Sequence, residues 1–243
     1  MARIAYDDTD AAAFASTRHL TDDSLTAWRQ AVARHLAPQP GRRLLDLGAG
    51  TGSWARAFTT WFPGLDVVAV EPSAAMRARA TFRPVLAGDA VAIPLGDDSV
   101  DGAWLSTVVH HVSDLAAAAR ELRRVVRPGG PVLIRSAFAG RHAAITLFRY
   151  FPEAVRVLDT YPGVAEVGSA FAGAGFPTAS VEPVPQVTAP SLREAAVTLR
   201  REAHTPLQLI TDDEYAAGVA RLREAARADT GPVVDELDLL VVR

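Results

Sequence analysis

The chain has 243 residues, of which 49% are hydrophobic and 22% are charged, a balance that suits a globular α/β domain with some extra helical cover. Its net charge of −3 gives no electrostatic reason to expect binding to nucleic acid or anionic lipid. It contains no cysteine and no lysine, which excludes disulfides, thiol nucleophiles, cysteine-held metal clusters, Schiff-base catalysis and Walker-type phosphate sites.

No apolar run approaches the roughly 20 residues that a membrane-spanning helix needs. Residues 1–10 are acidic and lack the basic and then apolar layout of a signal peptide. We therefore expect a cytoplasmic protein that has no membrane partner.

Helical periodicity begins at residues 23–37, where apolar residues recur every three or four positions, and Pro38 and Gly41 end that helix. Strands are predicted at 44–47, 66–70, 85–88, 100–105, 132–135, near 178–182 and near 235–242. Further helices are predicted over 52–62, within 141–175, near 190–203 and near 212–228. Two more are predicted from their N-caps, one after Ser73 and one that runs from Ser113 to Arg127. Thr211 and Glu214 form a capping box at the start of the last helix.

Regular alternation of apolar strands with helices predicts an α/β fold, in which a doubly wound, mostly parallel sheet carries helices on both faces. No repeat or low-complexity linker divides the chain, so residues 1–243 are expected to form a single domain. Residues 1–37 are expected to form a helical cover, and residues 137–175 a second cover on the substrate side. Ligands of such sheets bind at the carboxyl ends of the strands.

A glycine-rich turn follows the first predicted strand, in the sequence LLDLGAGTG over residues 44–52. Gly48, Gly50 and Gly52 would let a ligand lie against the backbone and would permit the positive φ of a tight turn. Amide groups at the start of the next helix can receive an electronegative group. The turn therefore predicts a cofactor site, although glycines can also form a tight turn and nothing more.

The spacing of this turn leaves two cofactors open. Residues 50–55 satisfy the GxGxx(G/A) dinucleotide fingerprint, and Glu71 stands 19 residues after the last glycine of the turn, which allows a nicotinamide-dependent oxidoreductase. Asp46 and Gly48, however, extend the pattern to DxGxGxG, and a further acid, Asp89, closes the third predicted strand. These details favour S-adenosylmethionine.

The chain resembles the class I methyltransferases that use S-adenosylmethionine, especially the group typified by ubiquinone and menaquinone biosynthesis methyltransferases. The matching segments are LLDLGAGTGSWA (44–55), VVAVEPSAAM (67–76), AGDAVAIPLGDDSVDGAWLSTVVHHV (87–112) and ELRRVVRPGGPVLI (121–134), with weaker matches at 171–176 and 239–243. The resemblance covers residues 42–136 well and the remainder loosely. It implies a Rossmann-like, seven-stranded sheet whose last strand is antiparallel. It also implies that S-adenosylmethionine is converted to S-adenosylhomocysteine in the reaction.

The resemblance also implies which residues hold the cofactor. The glycines would contact its methionine portion, with Asp46 organising the turn and meeting the amino group. Glu71 would accept hydrogen bonds from the ribose hydroxyls, Asp89 would bind the adenine amino group, and Ser106 would face the methionine end. The full set is Asp46, Gly48, Ala49, Gly50, Gly52, Glu71, Pro72, Asp89, Ala90 and Ser106. Glu71 and Asp89 could instead cap a helix or pair with an arginine.

His110 and His111 follow the fourth predicted strand, where at least one of them can face the donor methyl group. Methyl transfer needs a base only where the acceptor loses a proton, and a neutral histidine can act as one near pH 7. Both histidines are therefore candidate catalytic bases, with helix capping or packing as an equal alternative. We expect no metal.

Aromatic and basic side chains are concentrated in the two predicted covers. They are Tyr6, Phe14, Arg18, His19 and Trp28 in the first cover, and Phe138, Arg141, His142, Phe148, Arg149, Tyr150, Phe151 and Tyr161 in the second. These side chains could enclose a small aromatic or amphipathic acceptor, or could close the cores of the covers themselves.

The sequence thus predicts transfer of a methyl group from S-adenosylmethionine to a small-molecule acceptor, in specialised metabolism and without nucleic acid. The alternatives are a nicotinamide-dependent oxidoreductase and a non-methylating protein that binds S-adenosylmethionine. The large dehydrogenase family that uses a Tyr-x-x-x-Lys pair is excluded, because the chain has no lysine.

Overall fold

The structure is a computed structural model and describes residues 23–228 and 231–243. Its strands are β1 (Arg43–Leu47), β2 (Asp66–Glu71), β3 (Val85–Ala87), β4 (Gly102–Ser106), β5 (Val132–Ser136), β6 (Ala179–Ala189) and β7 (Val233–Val242). Its α-helices are α1 (Thr26–Leu36), α2 (Ser53–Trp61), α3 (Ala74–Ala78), α4 (Leu115–Val125), α5 (Thr146–Tyr150), α6 (Val155–Leu158), α7 (Val164–Gly173), α8 (Leu192–Thr198), α9 (Thr205–Gln208) and α10 (Asp212–Ala225). Short 3-10 turns lie at Asp23–Leu25, Val109–His111, Pro152–Ala154 and Arg201–Ala203.

The strands form one seven-stranded sheet in the order β3-β2-β1-β4-β5-β7-β6. Strands β1 to β5 are parallel, whereas β7 runs antiparallel to β5 and β6 runs antiparallel to β7. The predicted doubly wound, mostly parallel sheet with an antiparallel last strand is confirmed. None of the helices in the described part of the chain is long and apolar enough to cross a membrane.

Each face of the sheet is covered by helices, because the central strands are apolar on both sides. On one face, α1 and α2 bury Trp28, Trp54 and Phe58 against Trp104 of β4. On the other face, α4 and α7 pack against a cluster that includes Ile134 of β5. Because successive side chains of a strand point to opposite faces of the sheet, neighbouring residues of one strand belong to different apolar clusters.

A third apolar cluster lies beyond the carboxyl edge of the sheet and forms a helical layer. It joins α5, α6, α8, α9 and α10 to the neighbouring ends of β6 and β7. This layer includes part of the predicted second cover, but it also includes residues 189–233, which the sequence did not assign to a cover.

Several predicted helix ends are confirmed and one is wrong. Ser73 caps α3 by accepting the Met76 N–H at 3.2 Å, and Thr211 and Glu214 form a capping box at α10. Helix α4, however, is capped by Asp114, whose Oδ1 accepts the Ala117 N–H at 2.8 Å, and not by Ser113. An aspartate one residue later is an equally good cap, so the sequence alone does not separate the two positions.

Strand β6 is much longer than the predicted strand near 178–182. It continues to Ala189 through Pro183 and Pro185, residues that argue against a central strand. Among the described residues, β6 pairs only with β7 and lies at the edge of the sheet, so these prolines remove no required ladder hydrogen bond.

Gly218 of α10 yields a stability prediction. A Cβ atom at this buried position would overlap the ring of Phe151, which is itself fully buried and stacked on Tyr215. Alanine normally stabilises a helix by about 1 kcal/mol relative to glycine, but overpacking a core costs roughly 1–3 kcal/mol. We expect Gly218→Ala to lower the free energy of unfolding by about 1–2 kcal/mol in urea titrations.

Gly168→Ala in α7 is the matched control, because a Cβ atom there would meet only Ala179 Cβ at an ordinary 3.8 Å. This control should be neutral or should stabilise the protein by up to about 1 kcal/mol. An increase in stability from Gly218→Ala would contradict the tight contact between α10 and Phe151.

Candidate active site

The glycine turn connects β1 to α2 at the carboxyl edge of the sheet. Gly48, Gly50 and Gly52 have φ values of 71°, 57° and 78°, in the left-handed region that glycine tolerates. A Cβ atom at Gly48 would lie 2.5 Å from Val108 Cγ2, and one at Gly52 would lie 2.8 Å from Phe82 Cβ. Both positions therefore require glycine for their backbone angles and for the close approach of neighbouring loops.

Backbone amides of the turn are bound to the end of β2. The N–H groups of Gly48 and Ala49 donate to the Val70 carbonyl at 2.8 and 3.0 Å, and the Gly50 N–H donates to Glu71 Oε2 at 2.9 Å. These hydrogen bonds hold the turn in one conformation against the neighbouring strand.

Glu71 is buried at the end of β2, with 6% of its surface exposed. Its Oε1 accepts the Ser73 N–H at 2.8 Å, while its Oε2 accepts the Gly50 N–H. Burial raises the pKa of Glu71, and the two backbone hydrogen bonds and the charge of Arg77 oppose that rise. Each carboxylate oxygen has a further lone pair, so the group can still accept hydrogen bonds from ligand hydroxyls.

Asp46 lies below the turn and is almost fully buried. Its Oδ2 atom has no hydrogen-bond partner among the described residues. Burial raises the pKa of Asp46 to about 7; a hydrogen bond from the Ala55 backbone opposes the rise, and the charge of Glu71 adds to it. The contact with Ala55 at the start of α2 suits the predicted role in organising the turn.

A cavity of about 340 Å³ begins at this turn and extends into the helical layer. Of the predicted site residues, Gly48, Ala49, Gly50, Ser106 and His110 line it. We call this space the active-site cavity. Its position at the carboxyl ends of β1, β4 and β5 is the edge where the parallel sheet was expected to bind ligands.

The remaining predicted cofactor residues lie at the neighbouring strand ends and do not line this cavity. Gly52 and Pro72 follow β1 and β2, and Ala90 is buried after β3. Asp89 is exposed, and its Oδ1 accepts the N–H of Val91 at 3.2 Å. These residues would form the part of a cofactor site that faces the β2–β3 side.

The loop after β4 begins with an unusual backbone conformation. Thr107 has a φ of 57°, which few residues other than glycine adopt. Its N–H donates to the Arg135 carbonyl at 2.7 Å, and its Oγ1 donates to the Ser106 carbonyl at 2.6 Å. Strained backbone of this kind is concentrated at functional sites, and Ser106 and Thr107 both line the active-site cavity.

The two candidate catalytic histidines have different surroundings. His110 is buried, lines the active-site cavity and stacks flat on Tyr161, with ring centroids 4.1 Å apart and 2° between the planes. His111 is half-buried and does not line the cavity; its ring centroid lies 4.0 Å from that of His110. The structure therefore distinguishes His110 from His111, which the sequence did not.

Arg135 is a cavity residue that the sequence reasoning missed. It is 5% exposed and donates to Ser106 Oγ at 3.2 Å and to Gln186 Oε1 at 2.8 Å. Its guanidinium carbon lies 5.0 Å from the Trp28 ring and 5.4 Å from the Trp54 ring, within cation–π range. The available signal was an arginine directly after the apolar run 132–134, within a predicted strand.

The predicted covers correspond only in part to the cavity walls. Trp28 is buried in the core between α1 and the sheet, whereas Phe148, Tyr150, Phe151 and Tyr161 both line the cavity and close the helical layer. Tyr6, Phe14, Arg18 and His19 lie outside the described residues. Within the described residues, no cluster of three histidine or acidic side chains could hold a metal ion.

Residues 45–134 match a family model described as a methyltransferase domain. The chain is 36% identical over 117 residues to demethylmenaquinone methyltransferase from Corynebacterium kroppenstedtii, a match that covers 47% of this chain and 50% of that protein. The chain therefore spans half the length of this curated relative.

Two solved structures share the fold. A putative methyltransferase from an antibiotic biosynthesis pathway of Anabaena variabilis has a TM-score of 0.69 at 22% identity, covering 90% of this chain and 97% of that one. A phosphoethanolamine N-methyltransferase from Haemonchus contortus, in complex with S-adenosyl-L-methionine, has a TM-score of 0.61 at 20% identity, covering 99% of this chain and 58% of that one. The predicted resemblance to class I methyltransferases, and to their menaquinone group, is confirmed.

The environment of Asp46 predicts how stability depends on pH. Its pKa is raised from 3.8 to about 7 in the folded protein, so the stability that its protonated form contributes is present near pH 4 and is lost as the pH rises to 7. Asparagine does not titrate. As the pH rises from 4 to 8, the free energy of unfolding of the unsubstituted protein should therefore fall relative to that of Asp46→Asn. The fall should be at most about 4 kcal/mol, for a pKa shift of roughly three units.

Urea unfolding at pH 4, 5, 6, 7 and 8 measures this difference. Asp213→Asn, at an exposed position of α10, controls for the loss of one carboxylate from the surface. Stability curves for the unsubstituted protein and Asp46→Asn that stay parallel across this range would contradict the raised pKa.

Proposed function

We propose that this chain transfers a methyl group from S-adenosylmethionine to a small-molecule acceptor. The observation that carries the proposal is the position of the glycine turn, whose Gly48, Ala49 and Gly50 form one end of the active-site cavity. Ser106 and His110 line the same cavity, so an acceptor beside them would lie next to a donor held on the turn.

The chemistry of the residues at this edge fits the cofactor. Glu71 keeps lone pairs for two ribose hydroxyls, and the exposed carboxylate of Asp89 can accept a hydrogen bond from an adenine amino group. Asp46, when ionised below the turn, would favour a positive charge above it. Pro72 and Ala90 would flank the two acids.

When bound, S-adenosylmethionine supplies a methyl group that is activated by a positively charged sulfur. The tasks of the protein are to align the acceptor and to keep water out of the active-site cavity. For an acceptor that must lose a proton, His110 is the better candidate of the two histidines, because its ring lines the cavity.

The nicotinamide-dependent alternative is not favoured, because the family model and the curated relative both describe methyltransferases. A protein that binds S-adenosylmethionine without methylating would be recognised by a transfer assay with labelled methyl donor across a panel of acceptors. The cytoplasmic location, the role in specialised metabolism and the lack of a nucleic-acid partner are further parts of the proposal and rest on composition and resemblance.

Calorimetric titration with S-adenosylhomocysteine and NADH side by side tests the choice of cofactor. We expect S-adenosylhomocysteine to bind, and Glu71→Ala to weaken it by at least about tenfold, the scale of one charged hydrogen bond. Glu71→Gln keeps the side-chain length and one acceptor oxygen but places an amide NH2 group against one of the two backbone donors, so it removes the charge and one backbone hydrogen bond while it retains the bulk of the side chain beside the turn. Tight binding of NADH without a response to S-adenosylhomocysteine would contradict the proposal.

The two histidines provide a matched pair for the chemical step. For a hydroxyl acceptor, His110→Ala should lower kcat by at least about 100-fold, the lower end of the usual effect of a general base, with the affinity for S-adenosylhomocysteine unchanged within about twofold. His111→Ala should lower kcat far less, because His111 does not line the cavity. Equal losses in the two variants, or a loss of cofactor affinity that accounts for the loss of activity, would exclude His110 as the base.

A further inference from the structure

Gln186 of β6 carries a side-chain amide whose orientation is fixed by its neighbours. The side chain is 8% exposed and lines the active-site cavity. Its Oε1 accepts the indole N–H of Trp28 at 3.1 Å and a guanidinium N–H of Arg135 at 2.8 Å. Both of these partners can only donate, so the amide oxygen must face them and the Nε2 group must point the other way.

The Nε2 group of Gln186 is available to a ligand. It forms no hydrogen bond within the part of the chain that the structure describes. Because Arg135 places a positive charge against the oxygen of the same amide, the N–H bonds of the amide are polarised and donate more strongly. A buried donor is costly when it has no partner, so this group favours a ligand with an oxygen that accepts from it.

A carboxylate lies beside this donor. Asp235 of β7 is directly opposite Gln186 in the antiparallel pair of β6 and β7, and both side chains line the active-site cavity. Directly opposite residues point to the same face of a sheet, with Cβ atoms about 4.5–5.5 Å apart. Asp235 is half-buried; its Oδ1 accepts the Thr146 N–H at 2.8 Å, and its Oδ2 accepts the Thr188 hydroxyl at 3.3 Å. A carboxylate has about four acceptor positions, so Asp235 can also accept from a ligand.

We infer that Gln186 and Asp235 together bind a hydroxyl group of the methyl acceptor and thereby select the acceptor. A hydroxyl oxygen accepts the Gln186 N–H while its hydrogen is donated to Asp235, so both protein groups gain a partner. An ether or carboxylate oxygen would face the Asp235 oxygens without donating to them, and an ammonium group would leave the Gln186 N–H without an acceptor.

The inference rests on the proposed function, because it concerns the molecule that receives the methyl group. Both residues lie outside residues 45–134, which match the methyltransferase family model. The pair is therefore a property of this chain that the match to the family model does not supply.

Four linear probes of equal size test the inference on the full chain. They are 1-hexanol, its isomeric ether 1-methoxypentane, pentanoate and hexylamine. Their affinities are measured by ligand-observed NMR titration, in the presence and absence of S-adenosylhomocysteine. We expect 1-hexanol to bind at least about tenfold more tightly than the ether and pentanoate, and also more tightly than hexylamine, because only the hydroxyl group satisfies both residues.

Gln186→Glu removes the donor of the pair. Glutamate keeps an oxygen towards Trp28 and Arg135 but replaces Nε2 by a second oxygen, so two carboxylates lie side by side. Neighbouring carboxylates favour a cation, and the ratio of the affinities for hexylamine and 1-hexanol should therefore rise by at least about tenfold. Gln39→Glu adds the same charge at an exposed position and should leave this ratio unchanged.

Asp235→Asn removes the acceptor of the pair. The Thr146 N–H would hold the amide oxygen of the asparagine, so an NH2 group would take the place of Oδ2. An ether oxygen would then meet a donor from both residues, and the preference for 1-hexanol over 1-methoxypentane should fall below about threefold. Asp213→Asn, at an exposed position of α10, is the matched control and should keep the full preference.

The outcomes separate this hydroxyl site from the proposed function. Three results overturn the inference: no binding of 1-hexanol up to its solubility, equal binding of the alcohol and the ether, or a preference that either substitution leaves unchanged. If the preferences change as expected but S-adenosylhomocysteine does not bind, the hydroxyl site is supported and the methyltransferase proposal falls. If S-adenosylhomocysteine binds and the alcohol is not preferred to the ether, the hydroxyl site falls and the proposed function stands.

Discussion

The buried carboxylate of Glu71 joins the turn after β1 to the start of α3, and the geometry of the candidate site depends on this contact. One oxygen accepts the Gly50 N–H and the other accepts the Ser73 N–H, at 2.9 and 2.8 Å. Removing the carboxylate would leave two backbone donors without their partners, which is more disruptive than losing a contact on the surface. Because the Val70 carbonyl accepts hydrogen bonds from the first two amides of the same turn, the conformation of the turn is held by contacts within the protein itself.

Arg135 connects the region of the glycine turn to strand β6. Its guanidinium donates to Ser106 at the end of β4 and to Gln186 on β6, strands that are separated in the sheet by β5 and β7. The rings of Trp28 and Trp54 lie beside it, so a buried cation is held by hydrogen bonds and by aromatic faces. Arg135 and its polar partners beside the turn therefore lie against the core between α1, α2 and the sheet.

The sequence predicted those features that are encoded over short distances. The first five strands are short segments that are mostly apolar, the glycine turn follows a buried strand, and Ser73 precedes a helix, so each could be located from neighbouring residues. The extent of β6 could not be predicted, because its prolines are tolerated only at a sheet edge, and the edge is defined by the pairing with β7. Arg135 and the cavity residues of α8 to α10, such as Ala195, Pro206 and Leu222, were missed for a related reason: their position beside the cavity comes from contacts between segments that are far apart in sequence.

The two sides of the active-site cavity, which the proposed function assigns to the donor and the acceptor, come from different parts of the chain. The side beside the glycine turn is formed by residues of 48–54 and 106–110, which follow β1 and β4, whereas the other side is formed by residues of the helical layer and the adjoining ends of β6 and β7. The flat stack of Tyr161 on His110 is a direct contact between these two parts, since His110 follows β4 and Tyr161 belongs to the helical layer. A change in the packing of that layer would consequently reorient the candidate base, while the glycine turn, held by β2, would keep its conformation.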